Sequence, residues 1–201
     1  MKINKLTTLL FASLSMGIFS SCVSDDDTAL PEYKALILGE NFSEGADNTL
    51  LEIEGWTNYA EAGTVRWTNQ TYSGNGYAEF TSYQSGQSSN IGWLISPPID
   101  LDAQTGEKLV FQAAQAYVDT AGNTLEALIS SDFDGENVTA ASWQTLNATL
   151  PTIASTRFAF INSGVIDLSR ISGTAHIAFR VKGNGTTLDG TYQIDNVRVY
   201  N

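Results

Sequence analysis

The chain has 201 residues, a formal charge of −12 at pH 7, 16% charged and 10% aromatic residues, and a single cysteine. Acidity of this size repels nucleic-acid phosphates and anionic lipid surfaces, and high aromatic content with low charge density excludes a disordered chain. One cysteine leaves no disulfide framework, so stability has to come from packing, and a chain of this length can bury roughly 70% of its unfolded surface.

Lys2 and Lys5 precede an apolar stretch from Leu6 to Phe19, a signal-peptide pattern whose apolar run is too short to span a bilayer stably. Phe19-Ser20-Ser21-Cys22 then resembles the lipobox of bacterial lipoproteins, in which the cysteine is acylated and the peptide is cut just before it. That resemblance implies a leader over residues 1–21, lipidation of Cys22, and membrane association only through the lipid anchor. The alternatives are an ordinary cleavage site with an incidental cysteine, or a free core thiol. Ser24-Asp25-Asp26-Asp27 is similar to the export signal of Bacteroidota lipoproteins that reach the outer face of the outer membrane. A solvated linker is the plainer reading of such a charge run. Residues 22–33 are expected to form an acidic flexible spacer and residues 34–201 the folded domain.

Beyond the spacer the chain reads as short β-rich runs separated by turn residues, and no stretch keeps a helical period over three turns. The predicted strands are Ala35–Leu38, Val65–Thr68, Tyr77–Thr81, Gly92–Ser96, Lys108–Val118, Thr124–Ser130, Trp143–Leu146, Arg157–Ile161, Thr174–Lys182 and Tyr192–Tyr200. In Thr174–Lys182 the apolar residues Ala175, Ile177, Phe179 and Val181 alternate with His176, Ala178, Arg180 and Lys182, which predicts one core face and one wet face. The last strand changes phase at Asp195-Asn196, which fits either a β-bulge or a strand buried on both faces. The fold class expected is all-β: a single jelly-roll β-sandwich of two antiparallel sheets with little helix.

The segments Glu40-Asn41-Phe42, Gly55-Trp56, Trp67, Trp93-Leu94-Ile95-Ser96-Pro97-Pro98-Ile99-Asp100-Leu101, Leu109-Val110-Phe111, Ser130-Ser131-Asp132-Phe133-Asp134-Gly135, Trp143, Gly164-Val165-Ile166-Asp167-Leu168, Ile177-Ala178-Phe179-Arg180 and Tyr192-Gln193-Ile194-Asp195-Asn196-Val197 occur in this order. Together they resemble the choice-of-anchor J domain, a jelly-roll module related in architecture to MAM domains and calcium-containing carbohydrate-binding modules. The resemblance spans about Leu36 to Tyr200. It implies adhesive, binding or accessory roles without a shared reaction, and fold alone does not choose among them. Trp56, Trp67, Trp93 and Trp143 are expected mostly in the core or at the sheet rim.

Catalytic sets are hard to assemble. His176 is the only histidine, and its strand position predicts a solvent-facing side chain rather than a triad or zinc ligand. No nucleophile elbow, phosphate loop or dinucleotide fingerprint is present. A two-carboxylate glycoside hydrolase is the remote alternative, since acids are plentiful but no pair is singled out. Hard oxygen ligands for calcium are available in Glu40, Asp47 and Asp195, and the resemblance implies one structural Ca2+ near the first and last strands. The opposing reading makes Glu40 an edge-strand charge and Asp195 a carboxylate taking backbone donors. Asp132-Phe133-Asp134-Gly135-Glu136-Asn137 matches half of an EF-hand loop, yet position twelve is Trp143, so an Asp-Gly turn is the better expectation. Tyr72 and Tyr83, on glycine- and serine-rich loops, are candidates for stacking on sugar rings, with Tyr59 and Tyr117 behind them. The function expected is a non-catalytic outer-membrane surface lipoprotein carrying a glycan-binding or adhesive module, accessory to polysaccharide capture. The rival is a structural module whose partner is a cell-surface protein. Exposure of Tyr72 and Tyr83 around one concave face would favour binding, and burial of both would favour the rival.

Overall fold

The computed structural model describes residues 34–201; the expected leader, the lipidated Cys22 and the acidic spacer lie outside the described residues. In chain order the strands are β1 (Leu36–Glu40), β2 (Thr49–Leu50), β3 (Thr57–Ala62), β4 (Thr68–Tyr72), β5 (Asn75–Thr81), β6 (Asn90–Ile95), β7 (Ile99–Asp100), β8 (Lys108–Ala116), β9 (Thr124–Ser130), β10 (Gln144–Thr145), β11 (Ile161–Asn162), β12 (Ile166–Asp167), β13 (Thr174–Gly183) and β14 (Thr191–Tyr200). No helix occurs among the described residues.

Two antiparallel sheets form the jelly roll. One runs β11-β8-β14-β5-β4-β2, with β1 also on β14 and β12 also on β8; the other runs β10-β9-β13-β6-β3, with β7 also on β13. The long strands β8, β13 and β14 are central in their sheets, each rich in inward apolar residues that two neighbours can cover. Their inward residues, including Leu109, Phe111, Ile177, Phe179, Ile194 and Val199, make the inter-sheet core with Trp67 and Phe80. Phe111 and Phe179 meet edge to face at 4.9 Å across it.

Pro97-Pro98 divides what would be one strand into β6 and β7, since proline has no N–H for the ladder to β13. Ser96 repairs the break: its N–H donates to the Ile177 carbonyl, and its Oγ accepts the Ile177 N–H at 3.0 Å. The Ser96 carbonyl is left free to accept Nδ1–H of His176 at 2.9 Å.

His176 is buried, not solvent-facing. Its ring packs edge-on against Phe133 at 5.0 Å, because residues 131–143 fold back over the outer face of the second sheet. There Trp93, Ile95, Leu128, Phe133, Val138 and Ala178 make a separate apolar cluster, with Trp143 tilted against Trp93 at 5.1 Å. Alternation within β13 marks two faces but cannot show that both are covered. The Asp-Gly segment is a turn within this covering strap: Asp134 accepts the Asn137 side-chain amide on Oδ2 and the Asn137 and Glu136 backbone amides on Oδ1, which together lower its carboxyl to about 2.

The change of phase in β14 is a β-bulge. Register to β8 slips between Asp195 and Arg198, and Asn196 takes a left-handed φ of 51°. Several strands differ from expectation. Val65–Thr68 gives way to β4, Thr68–Tyr72; of Arg157–Ile161 only Ile161 enters a strand, β11; and β2, β3, β7 and β12 were not expected. Asn58 accounts for β3: its side chain donates to the Leu51 and Trp67 carbonyls and accepts the Trp67 amide, satisfying chain that no strand covers.

Candidate functional site

The outer face of the first sheet carries the site. Along β5 the outward residues are Tyr77, Glu79 and Thr81, and the facing positions of β14 are Thr191 and Gln193, set by the pairs Thr191↔Thr81 and Gln193↔Glu79. On β8 the corresponding positions are Ala114 and Ala116, small residues that leave a hollow above the sheet.

Loops raise walls around this floor. Tyr83 follows β5, Tyr117 and Asp119 follow β8, Phe158 lies between β10 and β11, and Asp189 precedes β14; with Glu79, Thr81 and Thr191 they line a groove of about 660 Å3. Phe158 also lines an adjoining hollow of about 380 Å3 with Tyr72, Tyr77, Phe160 and Gln193. The two hollows together make an aromatic-walled surface with polar groups in its floor, the composition expected of a site for a ligand with both apolar and hydroxylated faces.

Tyr72 is 75% exposed and Tyr83 63% exposed, so neither is spent in the core. Tyr72 stands at a two-residue hairpin whose Ser73 and Gly74 have φ of 52° and 84°, the left-handed pair such a turn requires. Tyr59, by contrast, belongs to β3 in the other sheet and lines neither hollow. Phe158 and Phe160 escaped the sequence analysis because Arg157–Ile161 read as a strand. Tyr117 and Phe158 meet edge to face at 5.8 Å, and both hold left-handed φ, 58° and 60°. Such conformations are costly for bulky residues and persist only where surroundings impose them.

The imposing residue is Gln115, which is buried. Its Nε2 donates to the Ser155 carbonyl at 2.7 Å, its Oε1 accepts the Val118 amide at 3.2 Å, and its own carbonyl accepts the Phe158 amide at 2.8 Å. One side chain thus ties the Tyr117 loop to the Phe158 loop. Gln115 between Ala114 and Ala116 was the available sequence signal.

The floor is acidic. Burial pushes the Glu79 carboxyl up and Asp47 adds to this, while the hydrogen bond from Gln193 Nε2 at 2.8 Å pulls the other way. Burial likewise raises Tyr77, with Glu79 adding its charge. Arg157 donates to Asp119 at 3.4 Å and lies over the Tyr117 ring at 4.4 Å.

The three expected calcium ligands sit elsewhere and are each engaged by protein donors. Glu40 accepts the Phe42 amide at 2.6 Å. Asp47 accepts the Thr71 amide at 2.8 Å and the Asn48 carboxamide at 2.9 Å. Asp195, buried at the bulge and raised by burial, accepts Asn75 Nδ2 at 2.9 Å and the Asn196 amide at 2.6 Å. Among the described residues no three His, Cys, Asp or Glu side chains gather as a metal group.

No protein-family model matches the chain, and no curated protein matches it. Among solved structures it is similar to the K3 cleaved adhesin domain of Lys-gingipain from Porphyromonas gingivalis, at 19% identity and a TM-score of 0.54, covering 83% of this chain and 100% of that one. It is also similar to the K1 cleaved adhesin domain of the same protein, at 22% identity and a TM-score of 0.51, covering 81% and 96%. A weaker likeness, with a TM-score of 0.46 at 15% identity, is to the CBM22-1 xylan-binding domain of Paenibacillus barcinonensis Xyn10C, covering 85% and 96%. The chain therefore shares its fold with these adhesin domains.

Proposed function

We propose that this chain is a non-catalytic glycan-binding or adhesive module of the outer cell surface, held there by a lipid on Cys22. The observation that carries the reading is the exposure of Tyr72 and Tyr83 along one aromatic-walled surface with Glu79 and Gln193 in its floor. Sugar rings present C–H faces that stack on aromatics and hydroxyls that donate to carboxylates, so the two chemistries of this surface match the two chemistries of a glycan. A module built only to pack or to support a surface would bury those rings. The lipobox-like Phe19-Ser20-Ser21-Cys22 and the following Asp25-Asp26-Asp27 support presentation of this face outside the cell.

A glycan array probed with the protein tests the reading, alongside Tyr83→Ala and Phe158→Ala. Each ring removed is expected to weaken binding by about 1–2 kcal/mol, roughly five- to thirtyfold, with little change in melting temperature because both side chains are exposed. Bound oligosaccharide is expected to be recovered uncleaved. Absence of binding to any glycan would move the assignment to a protein-interaction module.

A further inference from the structure

The larger groove is lined by Glu79, Asp119 and Asp189, and among the described residues no lysine or arginine lines it. The cation at its border, Arg157, is already committed: it donates to Asp119 at 3.4 Å and covers the Tyr117 ring at 4.4 Å. Asp47 adds its negative charge to the field at Glu79. Polar recognition in this groove therefore rests mainly on charged acceptors. We infer that the groove selects glycans by charge, taking neutral and amine-bearing sugars and excluding those that carry carboxylate or sulfate groups. This inference rests on the glycan-binding reading above.

Three physical terms act in the same direction. Sugar hydroxyls donate to carboxylate oxygens in charge-assisted hydrogen bonds, which are stronger than neutral ones. A uronate or sulfate would bring a like charge against Glu79 and Asp189 between aromatic walls that displace water, where screening is weakest. An ammonium on the sugar would meet the opposite field and could sit on an exposed ring face. Arg157 displays that last arrangement within the protein itself, its guanidinium held between a tyrosine face and a carboxylate.

The test measures binding of the full protein to neutral, amine-bearing and anionic glycans at about 0.01 M and about 0.1 M salt, where charges act over about 30 Å and about 10 Å. Anionic glycans are expected to bind at least about fivefold more weakly than neutral ones at low salt, with the gap narrowing at the higher salt. Amine-bearing glycans are expected to match or exceed the neutral ones. Asp119→Asn releases Arg157 from its carboxylate and is expected to raise anionic binding selectively. Equal or tighter binding of anionic glycans at low salt, or failure of amine-bearing glycans where neutral ones bind, would overturn charge selection and leave the glycan-binding reading standing. No binding in any class would overturn that reading, and this inference with it.

Discussion

Gln193 on β14 donates through Nε2 to the Glu79 carboxylate on β5 at 2.8 Å, directly across a pair of adjacent strands. This cross-strand pair holds an acid in the floor of the groove, half-buried between aromatic walls. Burial costs a carboxylate more than a carboxylic acid, so the folded protein binds this proton more tightly than the unfolded chain does.

The sign of the resulting pH dependence follows. A raised carboxyl stabilises the fold below its unfolded value, and that contribution is lost as pH rises through the folded value. Glu79→Gln, which keeps an acceptor for Gln193 but carries no charge, is expected to melt with the wild type near pH 4 and above it at pH 7. Melting curves across that range check this; a difference that does not grow with pH would contradict it.

Gln115 is expected to act on the groove without lining it. Gln115→Leu fills the space but leaves the buried Val118 amide and the Ser155 carbonyl without their partners, at a cost of about 1–3 kcal/mol. Because those bonds impose the left-handed Tyr117 and Phe158, glycan affinity should fall even at temperatures where the variant is fully folded. Retained affinity in a folded Gln115→Leu would show that the two loops hold themselves.

Chelation should leave the melting temperature unchanged, since Asp47 and Asp195 take protein donors on both oxygens and Glu40 already accepts the Phe42 amide. A calcium-dependent rise of several degrees that Asp195→Asn abolishes would instead identify an ion at the β14 bulge.

Gly92 on β6 faces Phe80 on β5 across the interior, and a methyl group at Gly92 would overlap the Phe80 ring. Phe80 cannot yield easily, being fully buried and packed on Trp67 at 5.7 Å. Gly92→Ala is expected to destabilise the fold by about 2–3 kcal/mol in denaturant titrations, the cost of overpacking a filled core.

Much of the sandwich was legible because strand periodicity and proline act locally. Lys108–Ala116, Thr124–Ser130 and Thr174–Gly183 announce themselves by alternation, Ser96-Pro97-Pro98 by a missing donor, and the bulge at Asp195-Asn196 by a change of phase. Tyr72 and Tyr83 stood out as loop rings among serine and glycine, and the structure settled that both are exposed. Elements held by side chains distant in sequence were not legible. The polar β3 depends on Asn58 reaching Leu51 and Trp67, and the burial of His176 depends on a strap from residues 131–143.

By itself, then, the sequence determined an acidic all-β chain with a cysteine placed as in a lipoprotein and two tyrosines, Tyr72 and Tyr83, on serine- and glycine-rich loops. Each of these follows from composition or from spacing within a few residues. Only the tertiary structure decided that Tyr83, Tyr117, Phe158 and Asp189, drawn from four separate connections, wall one groove over Glu79 and Gln193. Which loops meet at one end of a jelly roll depends on strand order and register, and those are settled by long-range pairing that no local pattern encodes.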